Sequence, residues 1–163
     1  MDNIEDLWQF VLEHSYQKWE NSFGYSDFLK ELSEYEKTAV QFGKFNYQIE
    51  NNGLYGWHIN GYSCDYDDLL NFIEKSDFVK KEQFENILGT FNYVIEEIEK
   101  LNPNNDFYES DCNTRYQYLD GIQHEYLSLQ NEWFEYFQEY LLSNIPDEYV
   151  KKINNYNLSK INI

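Results

Sequence analysis

The sequence predicts an all-α protein, a compact single-domain bundle of about six to eight helices. Three observations predict it. Apolar residues recur at steps of three and four through most of the chain. No stretch alternates apolar and polar residues for long enough to make a half-buried strand. Aromatic residues supply 20 % of the 163 positions, with 16 Tyr and 12 Phe, which is ample material for a core.

At the start, Asp2 or Asn3 is placed to cap a first helix. Ile4, Leu7, Trp8, Val11, Leu12, Tyr16 and Trp19 then form one stripe. Asn21-Ser22-Phe23-Gly24 breaks it. Ser26 is expected to cap the next helix, with Leu29 and Leu32 inward. Ser33-Glu34-Tyr35-Glu36 has the shape of a capping box. From there Tyr35, Ala39, Phe42, Asn46 and Ile49 follow a helical period.

That period leads into Gln48-Ile49-Glu50-Asn51-Asn52-Gly53-Leu54-Tyr55-Gly56-Trp57-His58-Ile59-Asn60. Here polar, glycine and aromatic residues crowd together without a helical or strand period. Asn51-Asn52-Gly53 is expected to turn, because Asn and Gly tolerate positive φ. Trp57 and Ile59 offer apolar surface after the turn. The stretch reads as a structural junction, with Trp57 buried and Asn60 hydrogen-bonded to backbone. A small recognition loop is the other reading.

Asp65 to Phe78 reads as a short helix with Leu69, Leu70 and Ile73 inward. Lys80 to Leu101 is a long one, with Phe84, Ile87, Leu88, Phe91, Val94, Ile95, Ile98 and Leu101 on one face. Glu85, Glu96 and Glu99 point away from it. Asn102-Pro103-Asn104-Asn105 stops the helix, since Pro cannot continue one, and 102–113 reads as a polar loop. Thr114 to Leu142 is the second long helix, carrying Leu119, Ile122, Tyr126, Leu129, Trp133, Tyr136 and Tyr140. Gly121 inside it costs roughly 1 kcal/mol against Ala and leaves room for a close helix crossing. Pro146 begins a final short helix. The acidic domain is expected to span 1–149, with 150–163 a basic, Asn-rich tail that frays after Tyr156.

The formal net charge is -18. After Glu148 there is no acid, and Lys151, Lys152 and Lys160 make that end positive. The first 149 residues hold 30 acids against 9 Lys or Arg. Such a charge repels nucleic acid and anionic membrane and favours basic partners. Plain solubility is the bland alternative. Cys64 and Cys112 make neither a disulfide framework nor a zinc pattern. The acidic N-terminus has no signal-peptide h-region, and no apolar run approaches membrane-spanning length. A cytoplasmic protein with free thiols is expected.

Catalytic chemistry finds no footing. His14, His58 and His124 are isolated, with no metal spacing among them. His58 beside Trp57 reads as a structural hydrogen-bonding group. Asp65-Tyr66-Asp67-Asp68 lacks the Gly and Glu of a calcium loop and reads as the acidic first turn of a helix. Asn104, Asp106, Glu109 and Asp111 lack that pattern too. No Ser or Cys has a base in a known motif, and no glycine loop binds phosphate. No enzyme, cofactor or metal is expected.

The acidic faces carry more. Glu125, Glu132, Glu135 and Glu139 recur along the second long helix, and Glu96 and Glu99 edge the first. Neighbours at three or four lie about 5–6 Å apart on a helix surface. Rows of carboxylate at that pitch stand in for phosphates before a protein that grips DNA with Lys and Arg. Asp65, Asp67 and Asp68 join them as candidate contacts. A merely solvated helix face fits the same spacing.

The central stretch resembles the family of small bacterial DNA-mimic proteins. Their hallmark is a Glu, then Asn-Gly-Gly, an aromatic, a Gln, further aromatics and an Asn. Gln48 falls on the Glu, Asn51 on the Asn, Asn52 and Gly53 on the glycines and Leu54 on the aromatic. Gly56 falls on the Gln, Trp57 on the next aromatic and Asn60 on the closing Asn. Glu34-Tyr35-Glu36 resembles the acid-rich helix before the motif. Leu119-Asp120, Tyr126 and the aromatic helix resemble the C-terminal half. The resemblance implies an all-helical, non-enzymatic protein that occupies the DNA site of a basic DNA-binding protein: a transcription factor, restriction enzyme or CRISPR effector. It implies no direct nucleic-acid contact and leaves a homodimer open. An immunity protein that neutralises a basic nuclease toxin is the alternative.

Overall fold

Seven α-helices and two 3-10 turns, with no strand among the described residues, carry the three-and-four periodicity in the computed structural model. It describes the backbone of 4–101 and 110–161, and the side chains of these except at 4–6, 21, 98, 101, 110–118 and 156–161. The α-helices are α1 (Ile4–Tyr16), α2 (Tyr25–Lys30), α3 (Glu34–Ile59), α4 (Tyr66–Lys75), α5 (Lys81–Leu101), α6 (Ser110–Asn144) and α7 (Asp147–Ile161). The chain divides into two compact units, one of residues 1–40 and 134–163 and one of residues 41–133. Helices α3 and α6 each contribute residues to both.

In the unit of 1–40 and 134–163, Trp8, Val11, Phe28, Ala39, Val40, Phe137, Leu141 and Ile145 are buried. Trp8 packs edge-on against Phe134 and Phe137, with centroids at 5.2 and 4.6 Å, and its indole N–H donates to Ala39 O at 3.0 Å. Ser33 precedes α3 as expected of a cap, and its N–H and hydroxyl donate to Glu36 Oε1 at 3.3 and 2.7 Å. The expected Ser26 cap is not made. Helix α2 starts behind Gly24 without a side-chain cap, Ser26 lies inside it, and Phe28 is the side chain it buries. Asp2 and Asn3 lie outside the described residues. At the other end, α7 runs as regular helix to Ile161, past the point where fraying was expected.

The unit of 41–133 is built on aromatic rings. Trp57, Trp133, Tyr126, Phe42, Phe45 and Phe84 are all less than 2 % exposed. Phe84 meets Trp133 at 5.0 Å and Tyr126 at 5.7 Å between centroids. The predicted face of α5 is buried at Phe84, Ile87, Leu88, Phe91, Val94 and Ile95. Ring pairs in such edge and tilted geometries contribute about 0.5–1.5 kcal/mol each beyond area burial.

Three expectations for the long helices shift. In α3 the buried aromatic is Phe45, not the neighbouring Asn46, which stays half-buried and accepts from Tyr126 Oη at 2.8 Å. In α6 the stripe continues through Phe137 and Leu141 rather than Tyr136 and Tyr140. A helix of 3.6 residues per turn drifts about 20° per heptad from a seven-residue repeat, so after two heptads a step of four restores the row. No close crossing is made at Gly121 by the described residues: it is exposed, and a Cβ there would meet none of them within 4 Å. Of the expected polar loop, 110–113 belongs to α6, and 102–109 lies outside the described residues.

Candidate partner-binding site

The central stretch is a kinked helix rather than a free loop. Gly53 takes φ 73° and ψ 174° inside α3, and the residues on both sides of it are helical. Only Gly reaches that backbone region at low cost, so the expected turn is concentrated in one residue. A kink strands carbonyls of the preceding turn. Ile49 O is satisfied from α6, by Gln123 Nε2 at 3.0 Å. The Gln123 amide then sits over Gly53, where an added Cβ would lie 2.8 Å from Gln123 Oε1.

Gln48 closes the stretch on itself. Its side-chain oxygen accepts from Asn52 Nδ2 at 3.0 Å and from Asn60 Nδ2 at 2.8 Å. Asn60 was expected to bond backbone; its side chain bonds Gln48 instead, because that buried amide oxygen needs donors. Gly56 lies against Asn52, and a Cβ there would run into Asn52 Cβ. Trp57 is fully buried as expected, with Phe45 and Phe91 at 5.0 and 5.1 Å between centroids. Its Nε1 has no acceptor among the described residues. Asn51 is exposed and donates to Tyr47 O at 2.8 Å.

The candidate carboxylates separate on inspection. Asp65 is only 2 % exposed, so it cannot meet a partner. Gln41 Nε2 holds it at 2.9 Å and reaches Asp68 at 2.8 Å, which offsets the cost of burial. Asp67 and Asp68 remain exposed in the first turn of α4. On α5, Glu96 is exposed beside Asn92, and Glu99 accepts from His58 Nε2 at 2.9 Å. On α6, Glu125 is exposed, and Glu132 pairs with Lys80 at 2.6 Å. Glu135 and Glu139 are exposed on the part of α6 that belongs to the other unit.

Within 41–133 the negative charge converges on Tyr66. Burial first, then the carboxylates of Asp67, Glu74 and Glu96, push its phenol above the ordinary value. Asp67 and Glu74 stand seven residues apart on α4, two turns on one face, and Glu96 comes from α5. Glu74 escaped the sequence reading, although its spacing from Asp67 was visible. Cys64 tells the same story: burial, then Asp65 and Asp68, raise its thiol.

His58 also has a second contact that spacing did not show. Its Nδ1 lies 2.9 Å from Ser63 Oγ, so Ser63, His58 and Glu99 form a hydrogen-bonded row. It ties the end of α3 to α5. Among the described residues no group of three or more His, Cys, Asp or Glu is arranged to hold a metal ion. None of their helices is long and apolar enough to cross a membrane.

Comparison with known proteins finds no matching family model, curated protein or solved structure.

Proposed function

We propose that this is an acidic DNA-mimic protein that occupies the DNA-binding site of a basic cytoplasmic DNA-binding protein and inhibits it by binding, not turnover. One observation carries the reading: Asp67 and Glu74, two turns apart on α4, and Glu96 on α5 are exposed carboxylates of one unit. The surrounding unit holds 17 acids against 6 Lys or Arg, a net charge of -11. Glu99, Glu125, Glu132 and Asp68 extend the acidic surface of the same unit. Glu135 and Glu139 add exposed carboxylates on the other. A groove lined with Lys and Arg binds phosphate rows through this kind of contact.

The test starts with a low-salt pull-down from host lysate to identify the partner. The partner, held on labelled duplex DNA, is then titrated with this protein. DNA should leave as the protein binds, and the effect should fade with salt, because exposed charges are screened within about 10 Å at 0.1 M. Asp67→Asn, Glu74→Gln and Glu96→Gln combined should weaken displacement while leaving the melting temperature nearly unchanged. A ternary complex with DNA still bound would overturn mimicry.

A further inference from the structure

Helix α7 is held in the unit of 1–40 and 134–163 by few side chains. Of those described, only Tyr149 is buried, at 8 % exposed. Its ring meets Phe10 and His14 of α1 at 5.9 and 4.7 Å between centroids and Tyr35 of α3 at 5.8 Å, each time edge-on. Lys152, three residues further along α7, holds its Nζ 5.9 Å from the centroid of the same ring. The phenol brings no charge of its own: burial first, then Tyr35 and Glu36, push it up. The ring that docks α7 is therefore shared by an imidazole from α1 and an ammonium from α7 itself.

His14 is the member of this cluster that changes charge near neutrality. Its proton would be partly desolvated and would face Lys152 and Lys18, while Glu36 pulls the other way. Glu36 is already answered, by Ser33 Oγ at 2.7 Å and Lys18 Nζ at 3.1 Å. Burial first, then the Lys152 ammonium, lower the imidazole from 6.5. We propose that α7 is a pH-sensitive latch, which a proton on His14 loosens by setting a second cation beside Lys152 at the Tyr149 ring. Linkage gives the sign. A lowered imidazole means that the docked helix takes up the proton less readily than the released one. Docking is fully stabilised above 6.5 and weakens as pH falls through the lower docked value. Glu36, held below 4.5, keeps its charge between 4.5 and 6.5. Release uncovers the rings of Phe10 and Tyr35 that Tyr149 packs against. None of this depends on the mimicry reading.

The test follows amide hydrogen exchange of the full chain by mass spectrometry at pH 7.5 and 5.5, each corrected for the intrinsic rate. Residues 84–95 of α5, in the other unit, serve as the reference. Relative to them, exchange over 147–155 should quicken at pH 5.5 by about two- to fivefold, the range that a partly exposed charge contact reaches. His14→Phe keeps a ring against Tyr149 and takes no proton, so it should lose the change. Lys152→Met, at an exposed position, should shrink it and leaves the test decisive where His14→Phe fails to fold. Equal relative exchange at the two pH values in the parent, or the full change retained in either variant, would overturn the latch. Quickening of 84–95 in step with 147–155 would mean loosening of the whole chain and would overturn it as well.

Discussion

Glu36 and the carboxylates around Tyr66 answer one problem, acidity, in opposite ways. In the unit of 1–40 and 134–163, Glu36 is 3 % exposed and surrounded by donors. Ser15 Oγ, Lys18 Nζ, Ser33 Oγ and Ser33 N reach it at 3.3, 3.1, 2.7 and 3.3 Å. Burial pushes its carboxyl up, but the Ser33 hydroxyl, the Lys18 ammonium and the Ser33 N–H together hold it below the ordinary 4.5. In the unit of 41–133, Asp67, Glu74 and Glu96 stay exposed, and their charge bears on Tyr66. A carboxylate goes inside where the chain supplies its hydrogen bonds. Where it does not, water supplies them, and an incoming cation can take water's place. Buried and exposed acids therefore differ in where their hydrogen bonds come from.

The hardest test of that division asks whether packing alone holds up the acidic rim. Trp57 is fully buried between Phe45 and Phe91. Trp57→Ala should cost roughly 3–5 kcal/mol, the usual range for removing a buried Trp or Phe. Trp57→Phe should cost much less, because its removal of the indole also removes a buried N–H that has no acceptor among the described residues. Denaturant melts of the two variants decide it. Equal losses would mean that the indole nitrogen matters more than the ring.

The second test concerns Glu36. Glu36→Gln leaves Lys18 and Ser33 facing a neutral amide and should cost about 1–3 kcal/mol at neutral pH. The sign with pH follows from the lowered carboxyl. Its stabilisation is fully present above 4.5 and is lost as pH falls through the lower folded value. Urea melts between pH 3 and 6 should therefore show the parent losing stability faster than Glu36→Gln below about 4.5. Parallel curves would mean that Glu36 does not titrate with folding.

How much of this was legible follows the reach of each signal. The face of α5, the Ser33–Glu36 cap and the burial of Trp57 depend on neighbours within one helix or turn, and the sequence displays those. The register of α6 beyond Trp133 failed because a seven-residue rhythm was extended past its drift. Asp65 looked like surface because Gln41, 24 residues away, is what takes it inside. His58 looked isolated because Glu99 is 41 residues distant. Gln123 over Gly53 was hidden for the same reason, so that contact could not be read before the fold.

The third test separates backbone from contact at the kink. Gly53 and Gly61 both take positive φ, at 73° and 83°. A Cβ at Gly61 meets none of the described residues within 4 Å, whereas at Gly53 it meets Gln123 Oε1. Ala should cost about 1–2 kcal/mol at Gly61, whose ψ of 2° is left-handed helical, and about 1–3 kcal/mol at Gly53 from the backbone alone, since its ψ of 174° lies in a region essentially confined to Gly. Gly53→Ala should cost more, since Gln123 must move and Ile49 O then loses its donor. Chemical denaturation measures both. Equal costs would show that the Gln123 amide is not held in place.

The smallest effect is the most specific to the exposed acids. Lys80 and Glu132 form a pair at 2.6 Å with side chains 37 % and 52 % exposed, so their coupling should be only about 0.2–1 kcal/mol. The two single variants should still differ in sign of their secondary effect. Both break the same pair, but Lys80→Met adds to a net charge of -18 while Glu132→Gln relieves it. Self-repulsion of a chain far from neutrality opposes its compact state. Lys80→Met should therefore be the more destabilising of the two, and the gap should close as salt is raised from 0.02 to 0.5 M, where the screening length shrinks to roughly 4 Å. Thermal melts across that salt range test it. A gap that persists at high salt would assign the difference to the lysine's packing stem rather than to charge, and Lys80 would then belong to the fold and not to the acidic surface.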